Sequence, residues 1–321
     1  MMLLRIPTST QDVFPLLQLP LLAREQVFGM MTPFELIDLS MTSSKAKSAV
    51  IFFSKIKPRF RVHLEFWGHT EIRIEGQEEE WKYIWTSHIQ FRDNPIRRLI
   101  YSEKPFEDCM KWYEDIKGVI GGRIFSLKIL GTNTSKTNWL RSQQESIDNV
   151  KLWFCFPNHV KYFLETIRVT GVLHIEVRSM TDSLSEIPDG PYILLIKYPF
   201  LCYEQLISIK SSKILLRNSR LKNQEINGFL KSWMTCESHL NLKLFGINVS
   251  GPGAVNEILD LPCEMTTDPN ILTKFEEYPF YTKVTRGFKI ERCDGRMATA
   301  CVVYQEILEL PEEHALCLIV H

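Results

Sequence analysis

Histidine, cysteine and the carboxylates are the side chains best able to do chemistry, and in this sequence none of them falls into a spacing that would. The eight histidines show no metal-ligand spacing, and no GxxxxGK[ST], GxSxG, HExxH or GxGxxG segment is present. The eight cysteines, at 109, 155, 202, 236, 263, 293, 301 and 317, include no CxxC pair and mostly sit within apolar runs. Reduced, buried thiols are therefore expected rather than a disulfide framework or a zinc site. Cys109 is the best candidate for a reactive thiol, yet it falls on the apolar side of a predicted helix, where a structural role is expected. Cys317 and His321 read as an incidental pair at the terminus. A Cys/His pair that meets only in space stays open. The expectation is a chain that is not an enzyme and uses no metal or cofactor.

Recognition is a different kind of chemistry, and residues 14 to 48, FPLLQLPLLAREQVFGMMTPFELIDLSMTSSKAKS, have the residue types for it. Pro20 is preset to begin a helix. Leu22, Val27, Phe28 and Met31 then give a turn-spaced apolar set. Thr32-Pro33 places a cap and a first-position proline before a second helix carrying Leu36, Ile37 and Leu39. Thr42, Ser43 and Ser44 offer hydroxyl caps for a third. Three short helices bury little among themselves, so such a unit leans on another body. By residue types alone it could equally be an ordinary helical subdomain.

In one ungapped register the stretch resembles the F-box. Leu19-Pro20 match the family's opening Leu-Pro, Val27 and Phe28 its paired apolar positions, Pro33 the proline of the next helix, and Glu35 its acidic position. Leu36, Ile37 and Leu39 match the aliphatic run and Ser43 the serine, while Leu22 and Arg24 depart from the usual Glu and aliphatic residue. The resemblance implies that Leu19, Pro20, Val27, Phe28, Pro33, Leu36, Ile37, Leu39 and Ser43 bind a Skp-type adaptor and, through it, a cullin-RING ubiquitin ligase.

Beyond this stretch the pattern changes twice. RFRVHLEF, TEIRIEG and WKYIW alternate apolar with polar residues, which predicts strands with one wet face, separated by turns at Gly68-His69 and Gln77–Glu80. A helix is predicted from about 105, with Phe106, Met110, Tyr113 and Ile116 on its apolar side. Apolar pentads then start at 126, 150, 173, 193, 213 and 240, which spaces them 20 to 27 residues apart. That spacing lies inside the period of leucine-rich repeats. Amphipathic segments fall between them, at Val160/Phe163/Leu164/Ile167 and Ile226/Phe229/Leu230/Trp233, with shorter ones at Tyr203/Leu206/Ile207 and Val255/Ile258/Leu259. A strand and a helix repeating at such a period stack into a parallel sheet with helices outside. LKILGTN and LKLFGIN resemble the strand-to-turn part of a leucine-rich repeat. KSSKILLRNSRLKNQEINGFLKSW, and INGFLKSW most of all, resembles the F-box-associated domain of the nematode-expanded F-box family. Residues 288 to 304 predict a hairpin around Asp294-Gly295, and ALCLIV a closing strand that caps the array's open edge.

The side chains between the core positions of the pentads point away from the helices. They make a candidate target-binding face of Ser126, Lys128, Lys151, Trp153, His174, Glu176, Lys213, Arg217, Asn241 and Lys243. Trp153 is either an exposed anchor among basic groups or covered by a neighbouring loop.

Composition sets outer limits. Lys+Arg and Asp+Glu number 38 each, so the chain lacks the basic excess expected of a nucleic-acid binder. No window reaches the 18 or so apolar residues of a membrane span, and the opening MMLLRIPTST is too short for a signal core. An intracellular chain, cytoplasmic or nuclear, is expected. The fold class predicted is α+β: a three-helix F-box over 11–55, a connecting β-rich segment over 56–104, and over 105–321 an F-box-associated, irregular leucine-rich-repeat-like β/α array with a C-terminal β cap. The function predicted is a receptor that binds the adaptor through 14–48 and an unknown protein target through the C-terminal domain. Two alternatives stand beside it, an F-box-containing scaffold without a ligase role and an enzyme with its site in the concavity of the array.

Overall fold

A computed structural model describes residues 16–87, 94–177, 190, 192–197, 201–217, 219–249, 251, 253–277, 280, 282–305 and 313–321. The start of the F-box-like stretch at 14 and 15, and residues 88–93, lie outside them. The chain is mixed α and β, and it divides into two units, one formed by residues up to His63 with His69–Arg123, the other by Leu64–Gly68 with Ile124–His321.

The first unit opens with a 3-10 turn at Leu16–Gln18, then α1 (Leu21–Met30), α2 (Pro33–Thr42) and α3 (Ser44–Ile56). The predicted punctuation is what delimits these helices. Thr32 and Glu35 form a capping box, with Thr32 N–H donating to Glu35 Oε2 at 2.8 Å and Glu35 N–H donating to Thr32 Oγ1 at 3.2 Å. Pro33 takes the first helical position. Ser43 caps α3 by accepting from the Ala46 N–H. The C-terminus of α1 is closed from a distance: Arg59 donates to the Phe28 and Met31 carbonyls, at 2.7 and 3.0 Å, adding to the Met31 N–H that Phe28 O already accepts.

Strands β1 (Arg61–Trp67), β2 (His69–Glu75) and β3 (Glu80–Thr86) follow where the alternation predicted them. Gly68, at φ +68°, makes the β1–β2 turn, a conformation that glycine adopts without steric cost. A further strand, β4 (Arg97–Tyr101), was not expected from the sequence; it lies parallel to β3. In this unit the order is β2-β3-β4, while β1 from Leu64 on belongs to the second unit. Helix α4 (Pro105–Ile116) packs on β2 and β3, burying Cys109, Tyr113 and Ile116.

In the second unit, β5 (Ile124–Leu130), β6 (Ser146–Cys155), β7 (Arg168–Val177), β8 (Ile193–Lys197), β9 (Lys213–Arg217) and β10 (Leu244–Asn248) pair in parallel and in sequence order. Helices α5 (Thr134–Gln143), α6 (Pro157–Thr166), α7 (Tyr203–Ser208), α8 (Asn223–Met234) and α9 (Ala254–Ile258) fall between or after them. The register shows why the unit is stable. One row across the sheet reads Leu127, Val150, Leu173, Leu194, Ile214, Phe245 and Leu318, and every member is buried. Phe229 of α8 stacks on Phe245 with ring centroids 4.4 Å apart. Each such buried apolar side chain contributes about 1.5–3 kcal/mol.

The end of the array is closed by antiparallel strands. After β11 (Glu264–Thr266), α10 (Pro269–Leu272) and a 3-10 turn at Thr273–Glu276 come β12 (Gly287–Glu291), β13 (Met297–Gln305) and β14 (Glu313–Val320). β12 and β13 are the predicted hairpin, with Gly295 at φ +84° in its turn. β14 inserts antiparallel between β13 and β10 and so covers the last parallel edge.

One strand prediction is corrected. The pentad LNLKL starts at 240, but β10 begins at Leu244. Leu240 and Asn241 belong to the turn after α8, where Cys236 and His239 adopt positive φ. Pairing starts only where Ser212 O accepts from the Lys243 and Leu244 N–H groups. Among the described residues no helix is long and apolar enough to cross a membrane.

Candidate functional site

Within the first unit, the nine residues assigned to adaptor binding fall into two groups. Phe28, Pro33, Leu36 and Ile37 are buried, the last two completely. Phe28 meets Phe53 edge to face, with centroids 5.5 Å apart. Their apolar spacing is that of a core. Leu19, Val27 and Leu39 are half-buried, while Pro20 and Ser43 are exposed, with Ser43 occupied as a cap.

The apolar groups that α1 does present to solvent are others. Leu22 is 76% exposed and Met30 82%, with Leu21 beside them. Leu22, Gln26 and Met30 follow one another at four-residue spacing and share a face. The sequence placed Leu22 and Phe28 in one turn-spaced apolar set; the structure separates them, with Phe28 buried and Leu22 exposed. Met41, Phe52 and Ile56 are further exposed apolar groups on α2 and α3. Clusters of this kind on a small unit mark contact surfaces.

Beside them Arg98 binds Asp38 through both guanidinium nitrogens, Nη1 to Oδ1 at 2.6 Å and Nη2 to Oδ2 at 2.5 Å. Its guanidinium lies 4.4 Å from the Phe34 ring centroid. The hydrogen bond to Asp38 pushes the Arg98 pKa up, and burial pushes the Tyr83 phenol up to about 12.

In the second unit, the candidate target face can be read from the register as two further rows. The first is Lys128, Lys151, His174, Leu195, Leu215, Gly246, Cys317 and Cys301. The second begins Leu130, Trp153, Glu176, Lys197 and Arg217. The predicted members from β5, β6, β7 and β9 therefore do share one face. The prediction that this face is open holds for only part of it. From β8 onward the first row turns apolar, and Phe275 and Phe280 pack against Ile193, Leu195, Leu215, Cys301 and Cys317 as a second core. Arg217 is buried and is no surface group, and His174, predicted for the open face, is buried as well. Asn241 and Lys243 are exposed but precede β10, so neither belongs to the rows.

The open part holds an aromatic group. Trp153 is half-buried against Trp67, centroids 4.2 Å apart, and so has a strand residue rather than a loop for a neighbour. Lys151 Nζ lies 5.9 Å from the Trp153 ring centroid, and Lys128 pairs with Glu65 at 3.0 Å. The β6–β7 register shifts between Trp153 and Cys155. Phe154, the residue at that irregularity, has φ +48° and is 44% exposed. A bulge re-aims a side chain in this way, and a non-glycine residue at positive φ persists only where its surroundings impose it. Ser126 lies on the same face at the start of β5, and Lys213 is half-buried at the start of β9.

Sequence reasoning missed Trp67, Phe154, Phe275 and Phe280. No period could have flagged the last two, since Phe275 lies in a four-residue 3-10 turn and Phe280 in a turn after it. No group of three or more His, Cys, Asp or Glu able to hold a metal occurs among the described residues. Cys109 is buried, and burial pushes its thiol pKa up, away from a reactive thiolate.

No curated protein and no solved structure matches this chain. Residues 192–247, which run from the start of β8 into β10, match the family model described as F-box associated, and this supports an F-box-associated protein.

Proposed function

We propose that the chain is the target-recognition subunit of a Skp/cullin/RING ubiquitin ligase. The observation that carries this reading is the F-box-associated match at 192–247 in a chain that also has three short N-terminal helices resembling an F-box. In this reading the adaptor docks on the apolar side of α1 that Leu21, Leu22 and Met30 present among the described residues, together with Leu19, Pro20, Val27 and Leu39. The buried Phe28, Pro33, Leu36 and Ile37 keep the helices in place. The second unit, a leucine-rich-repeat-like scaffold, captures a protein target on the open part of its sheet face, through Trp153, Trp67 and Phe154 with Lys128, Lys151 and Glu176. The receptor supplies proximity and no bond-making step. It works inside the cell, in cytoplasm or nucleus.

The test is capture of a purified Skp-type adaptor by the full chain. Leu22→Asp combined with Met30→Asp is expected to weaken capture at least ~100-fold, since each buries a charge at the interface, while leaving the thermal midpoint unchanged. Failure of the unsubstituted chain to bind the adaptor overturns the proposal.

A further inference from the structure

Two cysteines of the second unit that lie 57 positions apart meet at its surface. Cys293 Sγ donates to Cys236 Sγ at 2.6 Å, about 0.5 Å longer than a covalent S–S bond of about 2.05 Å. Cys236 sits in the turn after α8 and is half-buried; Cys293 sits in the β12–β13 turn and is exposed. Neither was separable from the other six cysteines by its sequence context.

The two turns are held together by more than the thiols. Cys293 N–H donates to Met234 O at 2.8 Å. Arg292, whose side chain is 2% exposed, donates to Leu240 O at 2.9 Å, and Arg296 donates to the same carbonyl at 3.0 Å. The Arg292 guanidinium also stacks 5.3 Å from the Trp233 ring centroid and binds Asp294 at 2.9 and 2.6 Å. This cation adjoins both thiols. A partly exposed thiol beside a fixed positive charge is the microenvironment in which cysteine reacts.

We propose that Cys236 and Cys293 form a redox modification site, a dithiol that a low-molecular-weight disulfide such as oxidised glutathione converts to an intramolecular disulfide. The Cys236 thiol loses its proton to solvent, and its sulfur attacks one sulfur of the small disulfide. A mixed disulfide forms on Cys236 and one glutathione thiolate leaves. The Cys293 sulfur, its own proton passing to solvent, then attacks Cys236 Sγ and expels the second thiolate. Two electrons move to the glutathione pair, which takes up the two protons. The hydrogen bond from Cys293 to Cys236 assigns these roles, and it is the chief reason the Cys293 thiol is pushed up in pKa and stays protonated until the second step. The product ties the end of α8 to the β12–β13 hairpin.

The second unit contains its own control. Cys301 and Cys317 are directly opposed across β13 and β14, but both are buried, and burial pushes the Cys317 thiol far up. Cys202 and Cys263 are exposed but have no thiol neighbour within bonding reach among the described residues.

The experiment is titration of the purified full chain with oxidised glutathione, followed by alkylation and peptide mapping. The expected result is a Cys236–Cys293 linked peptide, two hydrogens lighter than its parts, appearing before any other product, together with a thermal midpoint raised by roughly 5 °C. Cys236→Ser and, separately, Cys293→Ser should each leave a glutathione adduct that persists on the remaining thiol, with no rise in midpoint. Equal glutathione uptake by Cys202, Cys263 and Cys293 with no linked peptide overturns the proposal, as does a first link at Cys301–Cys317. Both outcomes are read on the unsubstituted chain, so they do not depend on a variant folding.

Discussion

Two ends of one sheet face behave oppositely. Lys128, Lys151 and His174 occupy the same register row as Leu195, Leu215, Gly246 and Cys317. The backbone is the same parallel ladder at both ends up to β10. What differs is the cover. At the far end Phe275 and Phe280, with centroids 5.9 Å apart, lie over the row. Gly246 makes room for them, since a Cβ there would stand 2.5 Å from Leu215 Cδ2 and 3.0 Å from Phe280 Cε1. At the near end Lys128, Lys151 and the Trp67–Trp153 pair remain partly accessible, while His174 is buried. A parallel sheet with helices on one face has one obligatory core, beneath those helices, and the other face becomes core or surface according to what folds across it.

The comparison is broken most sharply by placing a charge in the row. Leu215→Asp is expected to destabilise the second unit by about 4 kcal/mol or more, because a carboxylate is buried without a partner. Lys151→Asp, two strands from Leu195 in the same row, should change stability by less than about 1 kcal/mol. Denaturant midpoints of the two variants measure the contrast directly; equal losses would mean that the two ends do not differ.

Phe280→Ala removes part of the cover and leaves the sheet intact. A loss of about 3–5 kcal/mol is expected, with increased binding of a hydrophobic dye at the uncovered end. A loss under about 1 kcal/mol would show that Phe280 lies on the face without holding it.

The smallest effect is a dependence on pH. At the open end the Lys128–Glu65 pair is partly solvated and contributes little. On the helix side of the covered end, His239 packs against Phe229 with centroids 4.8 Å apart, and burial pushes its pKa down to about 4. The unfolded chain takes up this proton near pH 6.5 and the folded one only near 4. Stability is therefore complete above about pH 6.5 and falls as the pH drops through that window, by on the order of 2–3 kcal/mol. His239→Asn tolerates the positive φ and should flatten the slope between pH 6.5 and 4, read from denaturant midpoints. An unchanged slope would locate the acid sensitivity elsewhere.

Much was legible beforehand because its causes are local. Capping by Thr32, Glu35 and Ser43, proline at position 33, glycine in the turns at 68 and 295, and the 20-to-27-residue return of apolar pentads all act over a few neighbouring residues or at a fixed period. The failures are equally particular. Leu240 and Leu242 continued the alternation of β10 into a turn, because period two says nothing about where hydrogen-bond partners begin. Leu22 was grouped with Phe28 in one apolar set, although α1 buries Phe28 and exposes Leu22. Phe28, Leu36 and Ile37 were assigned to a partner's surface, but an apolar stripe does not say which body it packs against, and here it packs within its own unit.

By itself the sequence determined where most of the helices and strands lie, which strand residues alternate toward the helices, and the likeness to F-box and F-box-associated segments. Tertiary structure alone decided that half of the second sheet face is core, that Trp67 and Phe154 join Trp153, and that Cys236 meets Cys293. The physical reason is range. Caps, turns and periodicity are energies between near neighbours, whereas burial, charge environment and thiol proximity depend on segments tens of residues apart that only folding brings together.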